Sequence, residues 1–418
     1  MKRIVAFIVC LCLMLSTSGC LFITIPSIEI PKLPIFPTKP QQTGSIPFTY
    51  TLTDEDVDEF YRLLEASEKL ALESADFEEV DQLTDALDEQ YNVLEDQCAI
   101  AQLLYYSDMS DEAASELYLE CVDICGDANN AYMEMVRRIY QSDAPTKDQL
   151  FEDWTQQELD MLMAYTDEIM TLQKRNSELL VEYQSLPDTT SDAMIPLYIE
   201  QVRNHNRMAQ IYGFENYYEY AFRLGYERDY GVEELEKMRG YVAKHLTPIY
   251  KNAYNTFSDS LDEMSDKDRN AVARFMSDHY MLQDEAYLRN YLKTLPEDMK
   301  EIMQEALDES NSCFTDSPDA YEGAFTTQIG ERSFCFFGPG YSNSLTVAHE
   351  LGHFYGSYYS DLDALPLDLA ETQSQGNEWL FMGQLAQKMD PQVHAAMCNY
   401  KLFNDLATLQ ICVLADEF

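Results

Sequence analysis

Apolar side chains recur at helical spacing over most of the chain. Thr53-x-x-Asp56 opens one run and Thr155-x-x-Glu158 another, each pairing a capping hydroxyl with a carboxylate three residues on. Trp154 and Leu159 flank the second start as a hydrophobic staple. From there Leu162, Tyr165, Ile169, Leu172 and Leu179 follow at spacings of three, four, three and seven, which predicts one face of a single long amphipathic helix. Polar stretches, several with proline, break the pattern near 142–147, 185–191, 258–267 and 295–297. No repeat of fixed period is evident.

The pattern changes once, between Gly323 and Gly340. Ala324–Ile329 and Ser333–Phe337 are rich in β-branched and aromatic residues and are separated by Gly330-Glu331-Arg332, so a short hairpin is expected in an otherwise helical protein. A strand edge there could hold an extended peptide through main-chain hydrogen bonds alone. The fold class expected is all-α: mainly helical with a small β-hairpin or sheet.

The first residues follow a different logic. Lys2 and Arg3, an apolar run from Ile4 to Leu15, and Ser16-Thr17-Ser18-Gly19-Cys20 read as an export signal with its cleavage site. The final residues resemble a bacterial lipobox, with Cys20 lipidated as the first mature residue and Thr17 departing from the usual leucine. The apolar run is too short to span a bilayer comfortably. Prolines at 26, 31, 34, 37, 40 and 47 carry no helical period, so the stretch up to Thr49 reads as an extended tether. The expected organisation is a signal peptide over 1–19, a lipidated cysteine and tether over 20–49, a helical region over 50–310 and a region over 311–418 that includes His349-Glu350-Leu351-Gly352-His353. The corresponding location is the extracytoplasmic face of a bacterial cell membrane, with the lipid as the only membrane contact.

Composition narrows the chemistry. The 418 residues are 46% hydrophobic and 24% charged, enough to bury a core. Once Lys2 and Arg3 leave with the signal, 26 basic residues stand against 74 acidic ones, a net charge of −48. Nucleic acid is excluded as a partner, and the charge suits either solubility beside an anionic surface or a preference for cationic peptides. Seven of the ten cysteines remain after the signal and Cys20 are set aside; they cannot all pair internally, and most read as small buried hydrophobes.

The chemistry concentrates after Gly338-Pro339-Gly340. Ser342, Asn343 and Ser344 can cap a helix that runs through His349-Glu350-Leu351-Gly352-His353, an H-E-x-x-H motif. Four residues are slightly more than one helical turn, so both imidazoles leave the same face and can share one zinc at about 2.0 to 2.1 Å. Glu350 points toward the neighbouring position of a zinc-bound water. Gly352, between the histidines, would let another element approach closely. A zinc site of this kind needs a third protein ligand and one open position. The segment Asp368–Trp379 can supply it, with Glu371 and Glu378 two helical turns apart and facing one way. His205, His245, His279 and His394 lack partners at ligand spacing and read as packing or surface residues.

From about Ile199 to the end, the chain resembles the thimet oligopeptidase and oligoendopeptidase F group of zinc endopeptidases. The resemblance rests on Arg203-Asn204, Tyr212–Tyr217, Gly323-Ala324-Phe325, the His349 motif, the Glu371 to Glu378 segment and Ala415–Phe418. Gln373 departs from the proline or alanine frequent in that group. The resemblance implies one zinc per chain held by His349, His353 and Glu371, with Glu350 as general base and Glu378 as a nearby supporting carboxylate. It also implies oligopeptide substrates in a helical, two-lobed body with a deep channel. The histidines must be neutral to bind metal, so activity should fall in acid. Because the last helical stripe, Tyr400 to Val413, reaches Phe418 without a breaker, the group's later tyrosine and histidine donors are expected to lie beyond this sequence. Two other readings compete: a catalytically impaired peptide-binding lipoprotein of the same fold, and a helical adhesion protein with an accidental motif.

Overall fold

In the computed structural model, residues 45–184, 186, 192–226, 228–275, 288–341, 343–359, 369 and 371–417 are described. Their contacts divide them into two units: Phe48–Glu227 with Ile329–Arg332, and Arg228–Gln328 with Ser333–Phe418. The signal, Cys20 and nearly all of the tether lie outside the described residues. No helix among the described residues is long and apolar enough to cross a membrane.

The first unit is built from α1 (Asp54–Glu73), α2 (Phe77–Ser107), α3 (Glu112–Gln141), α4 (Lys147–Leu150), α5 (Gln156–Ala164), α6 (Asp167–Gln184), α7 (Met194–Ile211) and α8 (Tyr217–Tyr220). Both expected capping boxes form. Thr53 N donates to Asp56 Oδ2 at 2.9 Å and Thr155 N to Glu158 Oε2 at 2.5 Å, satisfying amide groups that a helix start leaves without a partner. Phe60, Leu87, Leu94, Tyr132 and Val136 pack between α1, α2 and α3 with almost no exposure.

The long helix expected after Thr155 is two helices. Leu162, Tyr165, Ile169 and Leu179 are buried as their spacing required, but the backbone opens at Tyr165 (φ −67°, ψ 109°). The Tyr165 carbonyl, lost to the helical ladder, accepts instead from Arg137 Nη1 at 2.6 Å, while its hydroxyl lies 2.9 Å from Asn130 Oδ1. Tertiary hydrogen bonds thus replace the local ones that continuity would have supplied.

The second unit carries α9 (Val232–Tyr241), α10 (Thr247–Glu263), α11 (Asp266–Phe275), α12 (Glu297–Glu305), β1 (Ser312–Phe314), β2 (Ala324–Ile329), β3 (Arg332–Phe337), α13 (Ser344–Tyr359), α14 (Thr372–Leu385) and α15 (Pro391–Glu417). The expected hairpin is β2 and β3, turning at Gly330 with φ +57°, a left-handed conformation that glycine adopts without Cβ strain. A third strand joins it: β1 pairs parallel to β3, Cys313 opposite Phe336, giving the order β1-β3-β2. The central strand is therefore buried throughout Phe334–Phe337, and β1 and β2 are the outer strands. The fold is mainly helical with a small sheet, as the periodicity indicated. Phe257, Met303, Phe337, Leu351, Met382 and Phe403 form the core from the helices and this sheet.

Candidate metal centre

Asn343 starts α13. Its Oδ1 accepts from the backbone N–H of Leu345 and Thr346, each at 3.1 Å, which caps the helix from the middle of the expected polar triplet; Ser342 is outside the described residues. The helix that follows is buried over most of Ser344–Phe354, and it carries His349 (2% exposed) and Glu350 (0%) into the interior. α14 crosses it closely at Gly352. A Cβ built there would lie 2.6 Å from Ser374 Cα and 2.9 Å from the Gln373 carbonyl, so only glycine permits this approach. Gln373 also lies against Gly356, where a Cβ would meet its side-chain nitrogen at 3.0 Å.

That crossing brings the three expected ligands together. His349 Nε2 is 3.1 Å from His353 Nε2, and Glu371 Oε2 is 3.1 Å from the first and 3.4 Å from the second. A tetrahedral ion with ligands about 2.0 to 2.1 Å away separates its donors by roughly 3.3 to 3.4 Å. Two imidazole nitrogens and one carboxylate oxygen are also a donor set zinc accepts. These residues fit a divalent ion, and among the described residues they are the cluster able to hold one. Glu371 differs from expectation in one respect: it sits at the cap position of α14, not within the helix (φ −90°, ψ 0°). Ser374 Oγ donates to its carbonyl at 2.9 Å and to its Oε2 at 2.8 Å, so the cap geometry itself aims the carboxylate.

Glu378, two turns on, is buried and meets His349 from behind: His349 Nδ1 lies 2.7 Å from Glu378 Oε1. A donor Nδ1–H there leaves the Nε2 lone pair for metal. Burial pushes the Glu378 carboxyl up, but the His349 hydrogen bond and the Lys401 charge outweigh it and hold the group below its ordinary value. Glu371 behaves alike: burial raises it, and hydrogen bonds from His349 and His353 bring it well below the carboxylate range.

Glu350 has a different environment. Its Oε2 accepts from Thr326 Oγ1 of β2 at 2.8 Å, while Oε1 is buried without a hydrogen-bond partner. Burial raises its proton affinity; the two histidines and Thr326 pull the other way without cancelling it. A buried carboxylate with one oxygen free of hydrogen bonds, within reach of the charges of His349, His353 and Glu371, is able to accept a proton.

Several supporting residues carried no signal in the sequence. Asn377 Nδ2 donates to the Ala348 carbonyl at 2.6 Å and its Oδ1 accepts from the Tyr291 hydroxyl, tying α14 to the helix that bears the histidines. Lys401 of α15 reaches Glu378. Of the other histidines, His205 stacks on Tyr217 with ring centres 4.2 Å apart, His245 contacts the Tyr241 ring, and His394 Nε2 lies 2.9 Å from the Met382 carbonyl. His279 is outside the described residues.

No family model and no curated protein matches the sequence. Solved structures do match in fold. PZ peptidase A with an inhibitor superposes with a TM-score of 0.65 at 16% identity, over 88% of this chain and 75% of that one. An oligoendopeptidase F from Bacillus anthracis gives 0.63 at 14% identity, over 85% and 76%. A further oligoendopeptidase F structure gives 0.57 at 16% identity, over 81% and 70%. The chain has the fold of these peptidases, and its His-His-Glu cluster can hold a metal ion.

Proposed function

We propose that this chain is a zinc-dependent metalloendopeptidase that hydrolyses peptide bonds in oligopeptides, with His349, His353 and Glu371 as ligands and Glu350 as general base. The observation that carries the reading is the set of three donor atoms 3.1 to 3.4 Å apart, whose residues' charges act on the buried Glu350 carboxyl, with its Oε1 free of hydrogen bonds. Bound zinc would supply a lowered water pKa and polarisation of the scissile carbonyl. Glu350 takes the proton of the attacking water on Oε1 and delivers it to the leaving amine. Thr326 holds the other oxygen so that the carboxylate does not rotate away. Glu378 keeps the His349 ring in one tautomer and orientation.

β2, one of the two outer strands, supports a place for the substrate. Thr326 lies on β2 and touches Glu350, so an extended peptide adding to that strand would run past the base, bound through its main chain. Such binding favours length and extension over particular side chains.

Purified protein should contain one zinc per chain and cleave an internally quenched peptide. Chelation should stop cleavage, and added zinc should restore it. Stoichiometric peptide binding without turnover in zinc-loaded protein would instead select the binding-lipoprotein reading. We further propose that Cys20 carries lipid and holds the protein outside a bacterial cell membrane. Incorporation of a labelled fatty acid that survives Cys20→Ala would refute this.

A further inference from the structure

Lys401 is 3% exposed, and its position is unusual for a lysine. Its Nζ lies 2.7 Å from Glu378 Oε2 and 2.9 and 3.1 Å from the two oxygens of Asp405, one helical turn further along α15. Trp379 Nε1 donates to Asp405 Oδ2 at 2.9 Å, and the ammonium sits 5.3 Å from the Trp379 ring centre. A chain of contacts therefore runs from Trp379 and Asp405 through Lys401 and Glu378 to His349 Nδ1.

Stability alone does not account for this arrangement. Taking Lys401 and Glu378 out of water costs several kcal/mol per ion before pairing, and well-packed apolar residues usually serve a core as well or better. What the arrangement does provide is orientation. Glu378 has two oxygens: one is occupied by His349 Nδ1 and the other by Lys401, so the carboxylate has a single way to sit. Asp405, gripping Nζ with both oxygens, keeps the ammonium from withdrawing.

We propose that Lys401 is a positioning residue for the metal centre, pinning Glu378 so that the His349 ring presents Nε2 to the ion. This rests on the metal-centre reading given under Proposed function. It assigns to α15, a helix that contributes no ligand, a part in setting metal affinity.

The test measures zinc affinity by competition with a chromophoric chelator, and the visible spectrum of the cobalt-loaded protein, in the full chain. Lys401→Met should weaken zinc by about 10- to 100-fold, the range for outer partners of metal ligands, and should alter the cobalt bands. Lys401→Arg, which restores a cationic donor, should recover much of the affinity. Should Lys401→Met fail to fold, Asp405→Asn keeps the lysine but loosens its grip, and should weaken zinc by a smaller factor. Unchanged zinc affinity and cobalt spectrum in folded Lys401→Met, or in Asp405→Asn where the former does not fold, overturns the proposal. Failure of the parent chain to bind zinc would instead overturn the metal-centre reading.

Discussion

Glu350→Gln should leave one zinc bound per chain while kcat/KM for a quenched peptide falls by about 10²- to 10⁴-fold, the span of general base catalysis. The glutamine amide keeps the carboxylate's shape, and its oxygen can still accept from Thr326 Oγ1, so the helix and both histidines should keep their places. What disappears is the idle oxygen that could take a proton. Stability gives a second readout. Burial places the folded-state pKa of Glu350 above its unfolded value, so the folded protein binds that proton more readily and loses stability as pH rises and the group ionises. The metal-free variant should therefore melt no lower than the metal-free parent at neutral pH. Cleavage equal to the parent's would remove Glu350 from the reaction. Loss of zinc along with activity would mean the residue serves the site's architecture.

The parts of this site that are legible in the sequence are those that depend on one helix and its period. The i, i+4 spacing of His349 and His353 and the seven-residue step from Glu371 to Glu378 follow from helical geometry, Gly352 marks where another element can come close, and the structure brings all of them together. Residues that arrive from elsewhere in the chain were not legible. Thr326 falls in the expected hairpin and Asn377 in the expected helical segment with no sign of a role at the site, and Tyr291, Lys401 and Asp405 carry no local signal at all. Only packing reveals that Lys401 is buried and turned toward Glu378. The same division holds for the fold. Capping boxes and the β2–β3 hairpin are local and form as expected. The three-residue strand β1 is too short to display a period and exists through its parallel pairing with β3. The break at Tyr165 depends on Arg137, a residue twenty-eight positions away, capturing a carbonyl. Periodicity placed the buried face correctly and was silent about continuity.

Glu371→Ala should produce the opposite split from Glu350→Gln, with metal and activity lost together. Zinc affinity should fall by more than the roughly 10- to 100-fold expected of a supporting residue, since the variant removes one of three donors and leaves two imidazoles facing a gap. Glu378→Gln, which changes only the partner behind His349, should fall within that lesser range. The order matters because the two glutamates share a segment and a helical face, and no spacing argument separates ligand from support. Here the distinction comes from the cap. At the cap of α14 the Glu371 carboxylate meets both Nε2 atoms, whereas Glu378 meets His349 at Nδ1 on the far side of the ring. Zinc titration of the two variants, each checked for retained helicity by circular dichroism, reads the difference directly. Unchanged zinc content in Glu371→Ala would reduce the His349 motif to an accident of a buried helix. An inverted order would exchange the two carboxylates' roles.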